Sequence, residues 1–136
     1  MKIWLVCSKV FYKNIEPIKI KLEELGHEVE LPNSYDNPNV EKESWELGEK
    51  EHAAFKKRMF NLSRERAKDM DAVLALNFEK NSKKDYIGGA TFLELYEAFM
   101  QDKKVYLYND IPEGMLYDEI CGFSPIVIKG DLNKIK

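Results

Sequence analysis

The sequence predicts an α/β fold built on an open parallel sheet. Short apolar runs recur along the chain, at residues 3–7, 72–76 and 105–108. Segments with apolar residues at helical spacing separate these runs, and no two-residue turn joins two strands as in a hairpin. Parallel strands need a long crossover, usually a helix, so this alternation favours a parallel sheet. At 136 residues we expect one domain, residues 1–136.

The composition predicts a soluble, cytoplasmic globular protein. Hydrophobic residues make up 44% and charged residues 33%, and the net charge of -3 argues against polymeric nucleic acid as a partner. No apolar stretch approaches the ~20 residues that a membrane span requires. Cys7 and Cys121 lie far apart without paired spacing, which is typical of reduced thiols. No cluster has metal-ligand spacing and no cofactor motif is present, so we predict neither a metal nor a cofactor.

The first 31 residues predict a strand, a helix and a second strand. Residues 3–7 form a continuous apolar run, typical of a strand covered on both faces. Asn14 is a suitable helix cap and Gly26 a suitable terminator. Between them, apolar residues recur at helical spacing: Ile15, Ile18, Leu22 and Leu25. Residues 27–31 alternate polar and apolar, which predicts a half-exposed edge strand stopped by Pro32.

A loop and a charged helical region follow. Residues 32–43 show no periodicity, whereas residues 44–68 are predicted to be helical. Residues 41–51 are the weaker half, and they are either the start of that helix or a separate short helix. One stripe of this region consists of Phe55, Met59, Leu62 and Arg66. Six basic residues lie in its second half and favour a solvated face: Lys56, Lys57, Arg58, Arg64, Arg66 and Lys68.

The rest of the chain completes the sheet. The predicted elements are a central strand at 72–76, a loop at 78–85, a helix at 91–101, a strand at 105–108, a short helix at 115–120 and a strand at 126–128. Five strands with right-handed crossovers predict a flavodoxin-like sheet of order 2-1-3-4-5 with helices on both faces. In that order, the ligand crevice lies above strands one and three.

The glycine pair Gly88-Gly89 and the helix after it are the predicted active site. Glycines let a ligand approach the backbone, and a helix start presents unpaired N–H groups to an anion. Glu94 is the candidate catalytic carboxylate, kept ionised by the helix dipole and able to attack an anomeric carbon. The structural alternative is a capping box, in which Glu94 bonds back to the helix start at Thr91. Gly88 and Gly89 can likewise form only a tight turn into the helix.

Other polar residues follow the strands and are candidate ligand contacts. Ser8 and Lys9 come directly after the first strand, and Lys9 is the nearest candidate for pairing with a phosphate. Asn77 and Asn109 end the third and fourth strands, although asparagine is equally usual where a strand enters a turn. With Thr91, these residues make up the predicted substrate-binding set.

The segment from residue 71 to 98 resembles the nucleoside 2-deoxyribosyltransferase-like superfamily, which includes 2'-deoxynucleoside 5'-monophosphate N-glycosidases. The resemblance consists of a strand opened by Asp71, a glycine loop and a helix with Glu94-Leu95-Tyr96-Glu97-Ala98. It implies a flavodoxin-like sheet, a Glu94 that attacks C1' of a deoxyribose, and transfer of the sugar to another base or to water. It also implies a homo-oligomer in which a neighbouring subunit helps to close the pocket.

Two positions depart from the family pattern. Tyr96 stands where the family has glycine in Glu-x-Gly-x-Ala. Family enzymes often carry an aspartate that assists the departing base, and Ser63 stands at the expected position. We therefore hold two hypotheses, an N-glycosidase or 2-deoxyribosyltransferase and a nucleotide-binding or sensing module that has lost catalysis. A scaffold role for the charged helix at 44–68 is a third.

Overall fold

The structure is a computed structural model that describes residues 1–136, and its core is a single parallel sheet. The strands are β1 (Lys2–Val6), β2 (Glu28–Glu30), β3 (Ala72–Ala75), β4 (Lys104–Leu107) and β5 (Ile126–Val127). They lie in the order β2-β1-β3-β4-β5, and every neighbouring pair is parallel. The predicted order 2-1-3-4-5 is confirmed.

Five α-helices connect the strands. They are α1 (Ile15–Glu24), α2 (Val40–Leu47), α3 (Glu49–Lys68), α4 (Gly89–Met100) and α5 (Tyr117–Gly122). Two short 3-10 helices span Lys9–Asn14 and Leu132–Lys134. None of the helices combines the length and the apolar character that crossing a membrane requires.

The two faces of the sheet carry separate apolar cores because successive side chains of a strand point to opposite faces. Ile3 and Leu5 of β1 pack with α1 and the C-terminal residues, whereas Trp4 and Val6 pack with α3, α4 and α5. All four side chains are fully buried. The sheet is therefore covered by helices on both faces, as the continuous apolar run of β1 predicts.

The charged region between β2 and β3 forms two helices, which is one of the two alternatives, but its buried stripe differs from the predicted one. The break lies at Gly48, whose φ of 129° suits glycine alone. The predicted stripe member Leu62 is 37% exposed, and the next residue, Ser63, is buried instead. Ala67 of α3 is fully buried and packs in the core that α4 shares with the sheet.

Helix α4 begins two residues earlier than predicted. Gly88 is its N-cap residue and Gly89 its first residue, so Thr91 lies within the first turn. No side chain caps this helix. Glycine has a low helix propensity, so a helix that begins at Gly89 is unfavourable in isolation. In the folded protein the helix nevertheless begins there, and Tyr86 packs against the backbone of Gly88, its N-cap residue.

Candidate active site

A cavity of about 360 Å³ lies at the carboxyl ends of β1 and β3. Val6 of β1 pairs with Ala75 of β3, so the segments leaving the two strands start from the same edge of the sheet. The predicted crevice is therefore present at the predicted place. Its walls come from the 3-10 helix after β1, the loop after β2, α2, α3, the loop after β3 and the start of α4.

Six of the eight predicted site residues line this cavity: Ser8, Lys9, Gly88, Gly89, Thr91 and Glu94. Glu94 is the sixth residue of α4 and is partly buried in the cavity wall. Because Thr91 is the third helical residue and not the cap, the geometry of a capping box does not exist here. The structural alternative for Glu94 is wrong.

The environment of Glu94 favours the protonated carboxyl group. Burial raises the pKa of Glu94 to about 8, although the positive charges of Arg66 and Lys56 lower it. Desolvation of the charged form outweighs the two cations. Glu94 is the sixth residue of α4, and the helix dipole weakens beyond the first turn, so the ionisation of Glu94 by the helix start stays a prediction.

Two neutral donors share the cavity with Glu94. Burial raises the pKa of Cys7 to about 12 and also raises the pKa of Tyr12, and in both cases the Glu94 charge adds to the effect. Tyr12 reaches the cavity from the 3-10 helix, where its ring centroid lies 5.5 Å from that of Tyr35. An S–H and an O–H that keep their protons can stabilise a nearby carboxylate by donating hydrogen bonds.

One wall of the cavity suits an anionic group. Lys80 Nζ lies 3.5 Å from Ser8 Oγ and 4.7 Å from the ring centroid of Tyr86, and Lys9 lines the cavity beside them. A Cβ atom at Gly88 would lie 3.1 Å from Tyr86 Oη, so a larger residue would require the Tyr86 side chain to shift by a few tenths of an ångström. The N-terminal N–H groups of α4 complete the wall, which we call the lysine wall (Ser8, Lys9, Lys80, Tyr86, Gly88).

A second wall of the cavity is formed by α2 and α3. Lys56 Nζ of α3 lies 2.9 Å from Glu41 Oε1 of α2, and His52 Nε2 lies 3.9 Å from the same oxygen. Apolar side chains of Phe55, Met59 and Phe60 lie beside this pair. We call this surface the helical wall (Glu41, Phe55, Lys56, Met59, Phe60, Ser63). It offers an apolar surface with one ion pair, a combination that suits a flat base.

Ser63 lines the helical wall at the place where the resemblance predicts an aspartate. Its hydroxyl accepts a hydrogen bond of 2.9 Å from Asn33 Nδ2. The position that the family spacing indicates therefore lines the cavity, but it holds no carboxylate. Glu41 and Glu94 are the two carboxylates that line the cavity.

The remaining two predicted residues, Asn77 and Asn109, do not line the cavity. Asn77 is fully buried, donates to the carbonyls of Asn109 and Asp110 at 3.2 and 2.9 Å, and accepts from the Asn109 backbone N–H at 2.8 Å. Asn109 Nδ2 donates to the Asn77 carbonyl at 3.0 Å. These bonds tie the ends of β3 and β4 together, and they use the polar atoms that the prediction assigned to a ligand.

Tyr96 points away from the cavity. It is 44% exposed, and its ring centroid lies 6.2 Å from that of Phe123 on α5. The tyrosine that replaces the family's glycine therefore leaves the space around Glu94 free.

Sixteen of the 22 residues that line the cavity were not predicted as site residues, and Tyr12, Glu41, Lys56 and Lys80 are among them. Lys56 belongs to the basic cluster assigned to a solvated face. One signal was available, because Phe55, Met59 and Ser63 lie at helical spacing beside it and place Lys56 at the edge of an inward stripe.

Comparison with solved structures supports the fold. The CMP N-glycosidase BcmB of Clostridium botulinum superimposes with a TM-score of 0.54, over 93% of this chain and 88% of that chain, at 20% sequence identity. No model of a protein family matches the sequence, and neither does any curated protein. At this identity the likeness establishes the fold, which is the one that the sequence resemblance implies.

Proposed function

We propose that this protein belongs to the nucleoside 2-deoxyribosyltransferase-like superfamily and cleaves the N-glycosidic bond of a nucleotide, with Glu94 as the nucleophile. The observation that carries the proposal is the position of Glu94, which faces the cavity at the switch point of the sheet and is not used as a helix cap. The structural likeness to a nucleotide N-glycosidase supports the same reaction class. The fold alone would not assign a reaction, so the residues of the cavity carry the argument.

The proposed reaction uses Glu94 in its ionised form. Its carboxylate attacks C1' as the bond to the base breaks, which gives a glycosyl ester on Glu94. Water or a second base then attacks C1' and releases the carboxylate. The positive charges of Arg66 and Lys56 help to hold the charge that burial disfavours, since they lower the pKa of Glu94.

The lysine wall supports a 5'-monophosphate as part of the substrate. Lys9, Lys80 and the N-terminal amides of α4 offer positive charge and hydrogen-bond donors within one surface. The helical wall then receives the base, which places C1' beside Glu94. A sugar without a 5'-phosphate would leave two lysines without an anionic partner.

The resemblance also implies a homo-oligomer. Leu93, Tyr96 and Phe99 expose apolar side chains on one face of α4, beside Phe123 of α5. Contiguous apolar surface of this kind marks interaction sites, so this face supports that part of the proposal.

Base release from a panel of nucleosides and nucleoside monophosphates, in ribose and deoxyribose forms, tests the proposal. We expect free base from at least one monophosphate, followed by liquid chromatography, and at least about tenfold less from the matching nucleoside, because a lost charge-assisted contact costs about 1.5 to 3 kcal/mol. A protein that releases no base from any member contradicts the proposal.

A nucleotide-binding module without turnover is the second candidate. The observation that favours it is Ser63, which supplies no carboxylate where the resemblance expects one. The same panel separates the two candidates. A binding module is stabilised against heat by its nucleotide and releases no base, since binding to the native state alone raises its stability.

A further inference from the structure

We propose that Lys56, held in place by Glu41, is the general acid that protonates the departing base. This inference rests on the proposed function, because it assigns a second catalytic residue to the same reaction. A base leaves a sugar as an anion unless it receives a proton or a strong hydrogen bond, so the pocket needs a donor on the side of the base.

The position of Lys56 fits this role. It lines the cavity together with Glu94, and its charge acts on the Glu94 carboxylate. Phe55, Met59 and Phe60 line the same cavity and offer apolar surface that suits a base, whereas Lys80 of the lysine wall contacts Ser8 and Tyr86. The two walls therefore separate a proton donor for the base from the cations that suit a phosphate.

Glu41 fixes the ammonium group of Lys56. The ion pair is 2.9 Å long and joins α2 to α3, with Lys56 only 30% exposed. Glu41 is itself positioned, since His52 Nε2 lies 3.9 Å from it, while Ser44 Oγ lies 3.0 Å from His52 Nδ1 and Trp45 stacks on the His52 ring at 3.9 Å. A lysine side chain held at its tip loses less conformational entropy when it engages a substrate.

The other proton donors of the cavity are less suited to the base. Burial raises the pKa of Cys7 and of Tyr12, so these groups give up protons reluctantly. Lys80 and Tyr86 contact each other on the lysine wall. Ser63 shares the helical wall with Lys56 but is a hydroxyl and therefore a weak acid.

Glu94 Oε forms a bond to C1' while the C1'–N bond breaks, and its electron pair passes to the base nitrogen. Lys56 Nζ transfers one proton to the base, which leaves as a neutral molecule. Water then attacks C1', the ester bond to Glu94 breaks, and the proton that the water loses returns to the Lys56 amine.

The test compares two leaving groups of the same base. For a purine the pair is guanine and 7-methylguanine, and for a pyrimidine it is uracil and 5-fluorouracil, each as the monophosphate that the wild type accepts. The methylated purine needs no proton to depart, and the fluorinated pyrimidine is the better leaving group. Lys56→Met should lower kcat/KM for the ordinary base by about 100-fold or more, and for the easier leaving group by less than a tenth of that factor.

Glu41→Gln should also lower kcat/KM more for the ordinary base than for the easier leaving group, but by a smaller factor. This variant keeps Lys56 and removes only the carboxylate that pairs with it. The matched control is Lys57→Met, which removes an exposed lysine next in sequence that makes no ion pair and does not line the cavity. The free energy of unfolding of each variant, measured in urea, tests whether the variant is folded.

The outcomes separate the two claims. Equal losses on both leaving groups, or no loss for Lys56→Met, would overturn the role of Lys56 while base release by the wild type upholds the proposed function. A wild type that is inert on every substrate overturns both.

Discussion

Glu94→Gln is expected to reduce the rate of base release by at least about a thousandfold. Removing a nucleophile costs several orders of magnitude in other enzymes that form covalent intermediates. Glutamine fills the same volume and keeps hydrogen bonding, so the fold and the substrate affinity should survive. The measurement is the single-turnover rate of base release at saturating nucleotide, with nucleotide affinity measured separately by calorimetry.

The matched control for this change is Glu97→Gln. Glu97 lies one turn further along α4, bonds to Gln101 at 2.8 Å and does not line the cavity. This variant should retain the rate of the wild type. A Glu94→Gln protein that still releases base within about tenfold of the wild-type rate would assign the chemistry to another group.

Glu94→Gln is also expected to stabilise the protein at alkaline pH. The pKa of Glu94 is raised from its ordinary 4.5 to about 8 by burial, so between these values the native state binds more protons than the unfolded state. The free energy of unfolding of the wild type therefore falls as pH rises from about 4.5 to 8, and the loss is complete above that range. Since one pKa unit corresponds to about 1.4 kcal/mol and the side chain is partly exposed, we expect about 2 to 4 kcal/mol.

Urea unfolding at pH 5, 7 and 9 measures this effect. The stability difference between Glu94→Gln and the wild type should be small at pH 5 and grow to the full amount at pH 9. Parallel curves across the three pH values would mean that the burial of Glu94 does not disfavour its charge. A stability difference that grows with pH would show that the ionised Glu94 destabilises the native protein, which is common for residues of functional sites.

The sheet could be predicted because its signals are local. The apolar run at 72–76 marks the central strand, and the alternating residues 27–31 mark the edge strand beside β1. The start of α4 could not be predicted to the residue, because glycines disfavour a helix in isolation and only the surrounding fold decides how far it extends. The resemblance added the expected reaction at C1' of a deoxyribose, which periodicity alone does not give.

Only some of the cavity residues could be predicted from the sequence. Ser8, Lys9 and the residues around Gly88 follow strands whose carboxyl ends meet at one edge, so topology places them together. Lys56 and Glu41 lie on two helices whose packing depends on contacts between residues distant in sequence. The sequence of a charged helix does not indicate which carboxylate one of its lysines will pair with. Asn77 was predicted as a site residue and does not line the cavity. An asparagine at the end of a strand can contact a ligand or stabilise a loop, and Asn77 donates hydrogen bonds to the loop after β4.

The most direct test of the central claim is to trap the sugar on Glu94. A 2'-deoxy-2'-fluoroarabinosyl nucleotide slows release of the ester, because fluorine destabilises the oxocarbenium-like transition state. We predict that the intact mass of the wild type rises by the mass of the fluorinated sugar phosphate, that the label maps to the peptide carrying Glu94, and that Glu94→Gln gains no label. Release of base without a label on Glu94, or a label on another residue, would contradict Glu94 as the nucleophile.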